Sequence, residues 1–245
     1  MAGKSWRSRM KYLNPSDFLE RRLERNEILS DTSVVQLARL IADFHFDDSV
    51  CSVANLGADG LSGFLRRVLR QEKGILVKEL NARDLKTKPL MRLYEAVDRY
   101  IVKNEQSISK FQITMNEPIV GHGDLKSQNV VFAQAEETVF VLDSAPLQEW
   151  RINTRRMDAL FLDTDLRLIG HTAEADIFWR VYDDFYRECV HRAGVVCVPD
   201  HVMQAVDLIS RFYRANIFFR LAQIGVESHR AGAALGMMEE ICGNI

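Results

Sequence analysis

The stretch VGHGDLKSQNVVF, residues 120–132, sets His122, Asp124, Lys126 and Asn129 between two apolar runs, and Asp143 follows in VFVLDSAP. NVVF and TVFVLD are short β-branched and aromatic segments separated by the polar AQAEE, which predicts a β-hairpin. A turn before the first strand presents Asp124 and Asn129, and the end of the second presents Asp143, so three oxygen-bearing side chains converge at one mouth of the hairpin. Such a set suits Mg²⁺, a hard ion that takes one or two carboxylates and leaves its other positions to water and phosphate oxygens. Asp124 is then placed to take a proton from an attacking hydroxyl, and Lys126 to balance charge on a transferring phosphoryl group. His122 is better placed to brace the turn than to react. An aspartate in a turn before a strand is ordinarily a cap or turn former. The joint spacing of the five residues is what singles this one out.

The elements that must hold this hairpin are mainly helical. NPSDFLERRL puts Asn14 at an N-cap and Pro15 in the first turn, predicting a helix over about 15–28. In DTSVVQLARLIADFHF, Val34, Leu37, Leu40, Ile41 and Phe44 form one stripe behind an Asp31 or Thr32 cap. LSGFLRRVLRQ, KPLMRLYEAVDRYIVK, ADIFWRVYDDFYRECVHRAG, HVMQAVDLISRFYRANIFFRLAQIG and ALGMMEEICG also repeat apolar residues three and four apart, giving seven or so helices. SWRSRMKYL, residues 5–13, reads as a further strand, and GADGLSG, Gly57 to Gly63, as a loop joining helices. The chain reads as one domain over 1–245 of the mainly α (α+β) class. Residues 14–119 and 146–245 are its helical parts, and the site hairpin occupies 120–145.

Composition excludes several classes. A chain of 245 residues, 47% hydrophobic, can bury a sizeable core, and a net charge of −2 provides no general field for nucleic acid or an anionic membrane. Cys51, Cys189, Cys197 and Cys242 lack zinc-site spacing and read as reduced thiols. Neither a signal-peptide block nor an apolar run of ~18 residues is present, so a cytoplasmic location is expected.

His122-Gly123-Asp124-Leu125-Lys126 with Asn129 and Asp143 resembles the catalytic loop and metal-binding aspartate of the protein-kinase-like superfamily. The HGDL form is similar to the branch containing aminoglycoside phosphotransferases and choline kinases. RSRMKYLNPSDFLERRLERNEILS, LARLIADFH, RRMDALFLDTDL and RFYRANIFFRLAQI extend the resemblance over nearly the whole chain. It implies a kinase-like C-terminal lobe with Asp124 as catalytic base, Asn129 and Asp143 as Mg²⁺ ligands, and Asp158 as a buried acid bonding the catalytic loop from below. ATP or another nucleoside triphosphate is the implied cofactor, and a small-molecule hydroxyl the implied acceptor. Arg151, Arg155 and Arg156 form a basic patch after the hairpin, predicted to receive an anionic or neutral acceptor.

Kinases of this superfamily carry a Gly-rich, five-stranded lobe before the hinge. About a dozen residues stand there in this sequence, and Trp6, Met10 and Tyr12 among them are apolar. The expectation is therefore a homodimer, or a second polypeptide supplying that lobe near residues 5–13. The alternative is a pseudokinase-type binding or scaffolding protein without turnover.

Overall fold

A computed structural model describes residues 14–25, 27, 29–47, 52–54, 56, 60–81, 87–133, 138–145, 152–194, 198–223, 225 and 230–245. The strand expected over 5–13 and the docking surface expected there lie outside the described residues, as does Arg151.

The first predicted helix is shorter than its sequence pattern: a single 3-10 turn, Pro15–Asp17, capped by the Asn14 side chain, precedes α1, Leu19–Glu24. Next comes α2, Asp31–Phe46. Its cap is Ser30, not Asp31 or Thr32, because the Ser30 hydroxyl accepts the Ser33 N–H at 3.2 Å. A helix α3, Gly60–Asn81, begins inside the glycine cluster that the sequence reads as a loop. It is followed by α4, Lys88–Lys103, and α5, Glu105–Met115, which ends at Asn116 in the left-handed region with φ 53°. The second half supplies α6, Arg155–Leu168, α7, Thr172–Arg192, α8, Asp200–Gln223, and α9, Ala231–Gly243. None of the described helices is long and apolar enough to cross a membrane.

Helix α6 is buried on every side from Arg155 to Leu166, with α7 and α8 against it. Helix α2 packs on α7, and α9 on α8 and α4, so their apolar stripes merge in one buried cluster that runs from Leu19 to Ile241. An all-apolar surface would suit such a central helix, yet this one carries Arg155, Arg156, Asp158, Asp163 and Asp165, each buried. Charge at that depth requires partners, and those partners determine what the helix positions.

Two small sheets do the rest. The predicted hairpin pairs β3, Val130–Ala133, with β4, Thr138–Val141, in antiparallel register Val130↔Val141 and Val131↔Phe140. The second sheet was not legible in the sequence: β1, Ser52–Val53, β2, Ile119–Val120, and β5, Ile152–Asn153, pair antiparallel in the order β1-β2-β5. Strand β2 runs directly into Gly121 and His122, and β5 directly into the Thr154 cap of α6. Pairing Ile119 with Asn153 therefore brings the start of the Asp124 turn beside the start of the buried helix.

Candidate functional site

The Asp124 turn is fixed through its backbone. Asp158, fully buried on the first turns of α6, accepts the His122 N–H at 2.7 Å and the Gly123 N–H at 3.0 Å. Two turns further along the same helix, Asp165 accepts the Ser127 N–H at 2.7 Å. The segment between these anchors has no freedom to flatten, and it carries Asp124 and Lys126. Gly121 permits the approach: a Cβ there would lie 2.7 Å from Asp158 Oδ2.

His122 ties the turn to the far strand. Its Nε2 lies 2.8 Å from the Leu142 carbonyl, which can only accept, and the Asp124 N–H points at its Nδ1 at 3.3 Å. The ring is thus bonded as the Nε2–H tautomer. Its backbone carbonyl accepts the Ala145 N–H at 2.9 Å.

Asn129 closes the mouth of the hairpin. Its amide nitrogen reaches the Asp124 carbonyl at 2.7 Å, Asp124 Oδ2 at 3.1 Å and the Asp143 carbonyl at 3.4 Å. Lys126 Nζ lies 3.3 Å from the same Asp124 oxygen. Asp143 is exposed and holds φ 52°, a conformation that side chains other than glycine, asparagine and aspartate seldom adopt. The structure therefore brings Asp124, Lys126 and Asn129 together by side chain, and places the Asp143 backbone against them.

Beneath Asp124 lies a cavity of about 360 Å³ between α3, α6 and α8. Asp124 and Gly123 line one side, and Phe64, Val68, Met157 and Ile217 give it apolar walls. Glu72, Arg220 and Arg214 are the other charged groups on it. Burial pushes the Glu72 carboxyl up, against the pull of Arg220 3.1 Å away. Burial also pulls the Arg214 guanidinium below the ordinary arginine value, opposed by Tyr213, Asp158, Asp124 and Glu72. For Asp158, burial alone would raise the pKa. The hydrogen bond and charge of His45, then His122 and Arg214, outweigh it and hold the carboxyl at about 2.

Arg155 and Arg156 do not form the open basic patch expected from the sequence, because both are buried and paired with acids. The Arg155 guanidinium is buried 3.1 Å from Glu117 and donates to the His45 carbonyl at 2.9 Å. Arg156 is held by Asp207 through two 2.7 Å bonds and by Asp183, with Trp179 and Tyr186 stacked on it. Both serve to join α6 to its neighbours.

Four further residues matter to the site. His45 sits fully buried with Nε2 3.2 Å from Asp158 and Nδ1 2.8 Å from the Tyr182 hydroxyl. Arg230 pairs with Asp165 and, at 3.2 Å, with Glu20. Asp165 itself follows Asp158 by seven positions on one helical face, a spacing that could have revealed it. Arg214 interrupts the apolar run of α8. Family models, curated proteins and solved structures provide no match to this chain.

Proposed function

We propose that this chain is the catalytic lobe of a phosphotransferase, moving the terminal phosphoryl group of ATP, or of another nucleoside triphosphate, onto the hydroxyl of a small molecule. The observation that carries the reading is the gathering of Asp124, Asn129 and the Asp143 backbone at one hairpin mouth, over a cavity of small-molecule size.

In that reaction Asp124 takes the proton of the acceptor hydroxyl. The hydroxyl oxygen forms a bond to the terminal phosphorus, and the bridging P–O bond breaks toward the nucleoside diphosphate. Asn129 and Lys126 both engage Oδ2 of Asp124, and no described residue bonds Oδ1, which leaves that oxygen to accept the proton. The backbone anchors at Asp158 and Asp165 keep the carboxylate in place without its moving as charge develops.

Asp143 and the amide oxygen of Asn129 are the residues that would hold Mg²⁺. The described residues contain no group of three or more His, Cys, Asp or Glu able to hold a metal ion. Two hard oxygen donors fit an ion whose remaining positions belong to phosphate and water. When bound, Mg²⁺ neutralises charge on the phosphates.

Calorimetric titration with ATP and Mg²⁺ tests the reading. Metal-dependent binding lost in Asp143→Ala, followed by turnover lost in Asp124→Ala with binding retained, is the expected pair of results. Absence of nucleotide binding by the wild type sinks it. Binding without turnover would make the chain a nucleotide-dependent scaffold instead.

A further inference from the structure

Four of the described arginines are buried: Arg155, Arg156, Arg214 and Arg230. Three of them have carboxylate partners, namely Glu117 for Arg155, Asp183 and Asp207 for Arg156, and Asp165 and Glu20 for Arg230. Arg214 differs. Only 3% of it is exposed, and it forms no ion pair among the described residues, unlike the other three. Its one hydrogen bond is a long one, Nε to the Met157 carbonyl at 3.4 Å, and its guanidinium lies over the Phe161 ring at 4.0 Å. Its terminal nitrogens have no hydrogen-bond partner among the described residues.

Asp158, Asp124 and Glu72 favour its charge from a distance, but none bonds it, and an aromatic face offsets only part of the cost of burying a guanidinium without a direct partner. The residue also lines the cavity that Asp124 lines. The other cation there, Arg220, is already engaged by Glu72 at 3.1 Å and Glu79 at 3.6 Å. With Glu72 taken by Arg220 and Asp124 at the hydroxyl end, Arg214 is the cationic fork on this cavity that has no ion-pair partner among the described residues, and most of the other walls are apolar.

We propose that Arg214 receives the carboxylate of the acceptor, making that acceptor a hydroxy acid with an apolar body. The inference rests on the phosphotransfer reading for the hydroxyl end, which belongs at Asp124. A guanidinium matches a carboxylate through two parallel N–H···O bonds. A single guanidinium without a direct ion pair matches a monoanion, which favours a carboxylate over a phosphate dianion. Phe64, Val68 and Leu221 are the walls that would cover the carbon skeleton.

Titration calorimetry of the full chain, without nucleotide, against 3-phenyllactate and its neutral amide tests this. The acid is expected to bind about tenfold or more tighter than the amide, a gap of roughly 1.4 kcal/mol. Arg214→Met should bring the acid to the level of the amide, while Arg214→Lys keeps part of the preference. Equal affinity of the two compounds for the wild type, no saturable binding of the acid, or a preference that survives Arg214→Met overturns the proposal. Should Arg214→Met fail to fold, loss of the preference in Arg214→Lys together with intact melting also counts against it. Because no nucleotide is present, an acid preference in a protein without ATP turnover removes the phosphotransfer reading alone. Turnover confined to neutral alcohols removes the Arg214 inference alone.

Discussion

Asp158 and Asp165 stand seven residues apart on α6, roughly 10 Å along its axis, and each accepts backbone N–H groups from the turn that carries Asp124. The helix thus grips both ends of one loop. Neither acid touches the cavity, so their effect on any chemistry at Asp124 is to fix where its carboxylate stands.

Replacing Asp158 by alanine removes the acceptor for two buried N–H groups and for His45. An unfolding free energy lower by about 2–5 kcal/mol is expected, measured by urea denaturation. A loss below 1 kcal/mol would mean that the turn has another support.

The pH dependence that the Asp158 carboxyl confers has a definite sign. The Asp158 carboxyl is held at about 2 against an ordinary value of 3.8, so the unfolded chain binds more protons between these limits. Its contribution, ~2 kcal/mol, is complete above the upper limit and is lost as pH falls through the lower one. Asp158→Asn should flatten the acid limb of the stability curve, followed by circular dichroism at a fixed urea concentration.

Glu117 has the opposite sign. Burial pushes its carboxyl up to about 7, in spite of Arg155 alongside. The native state then holds the extra proton from the ordinary carboxylate range up to that value, and stability falls as pH rises through it. Melting temperatures of Glu117→Gln should fall less than those of the wild type between about pH 5 and pH 7. An equal fall in the two proteins excludes Glu117 as the group.

Arg230→Met leaves Asp165 buried without its cation. A loss of about 3–5 kcal/mol is expected, and combining it with Asp165→Leu should recover part of that loss. Additive losses in the double variant would show that the two residues are not coupled.

Gly121→Ala drives a methyl group to 2.7 Å from Asp158 Oδ2 and 3.3 Å from Ile119 Cδ1. The acid must move, or the turn must. A destabilisation of about 1–3 kcal/mol is expected, accompanied in heteronuclear spectra by shifts of the His122 and Gly123 amides. Unmoved amide signals would show that strain relaxes elsewhere.

The helices were legible because their apolar residues recur at one period, and the pattern over 88–103 marks α4 end to end. The hairpin was legible because its strands are β-branched and flanked by polar residues. The β1-β2-β5 sheet was not, because two-residue strands have no periodicity to detect. Helix α5 was missed since only Asn104 parts it from α4. His45 was illegible for another reason: its partners Asp158 and Tyr182 lie 113 and 137 positions away. Arg155 and Arg156 misled because a basic cluster reads the same whether its acids are local or, as here, on other elements.

Glu20 and Arg230 meet across 210 positions of chain, with Asp165 as their common neighbour through the arginine. During synthesis on a ribosome, the acid under Ser127 therefore waits until residue 230 has emerged before its charge is met. A contact of such long range is entropically late to form. The turn that holds Asp124 should accordingly be among the last regions to gain protection from hydrogen exchange, and nascent chains halted before position 230 should leave it unformed.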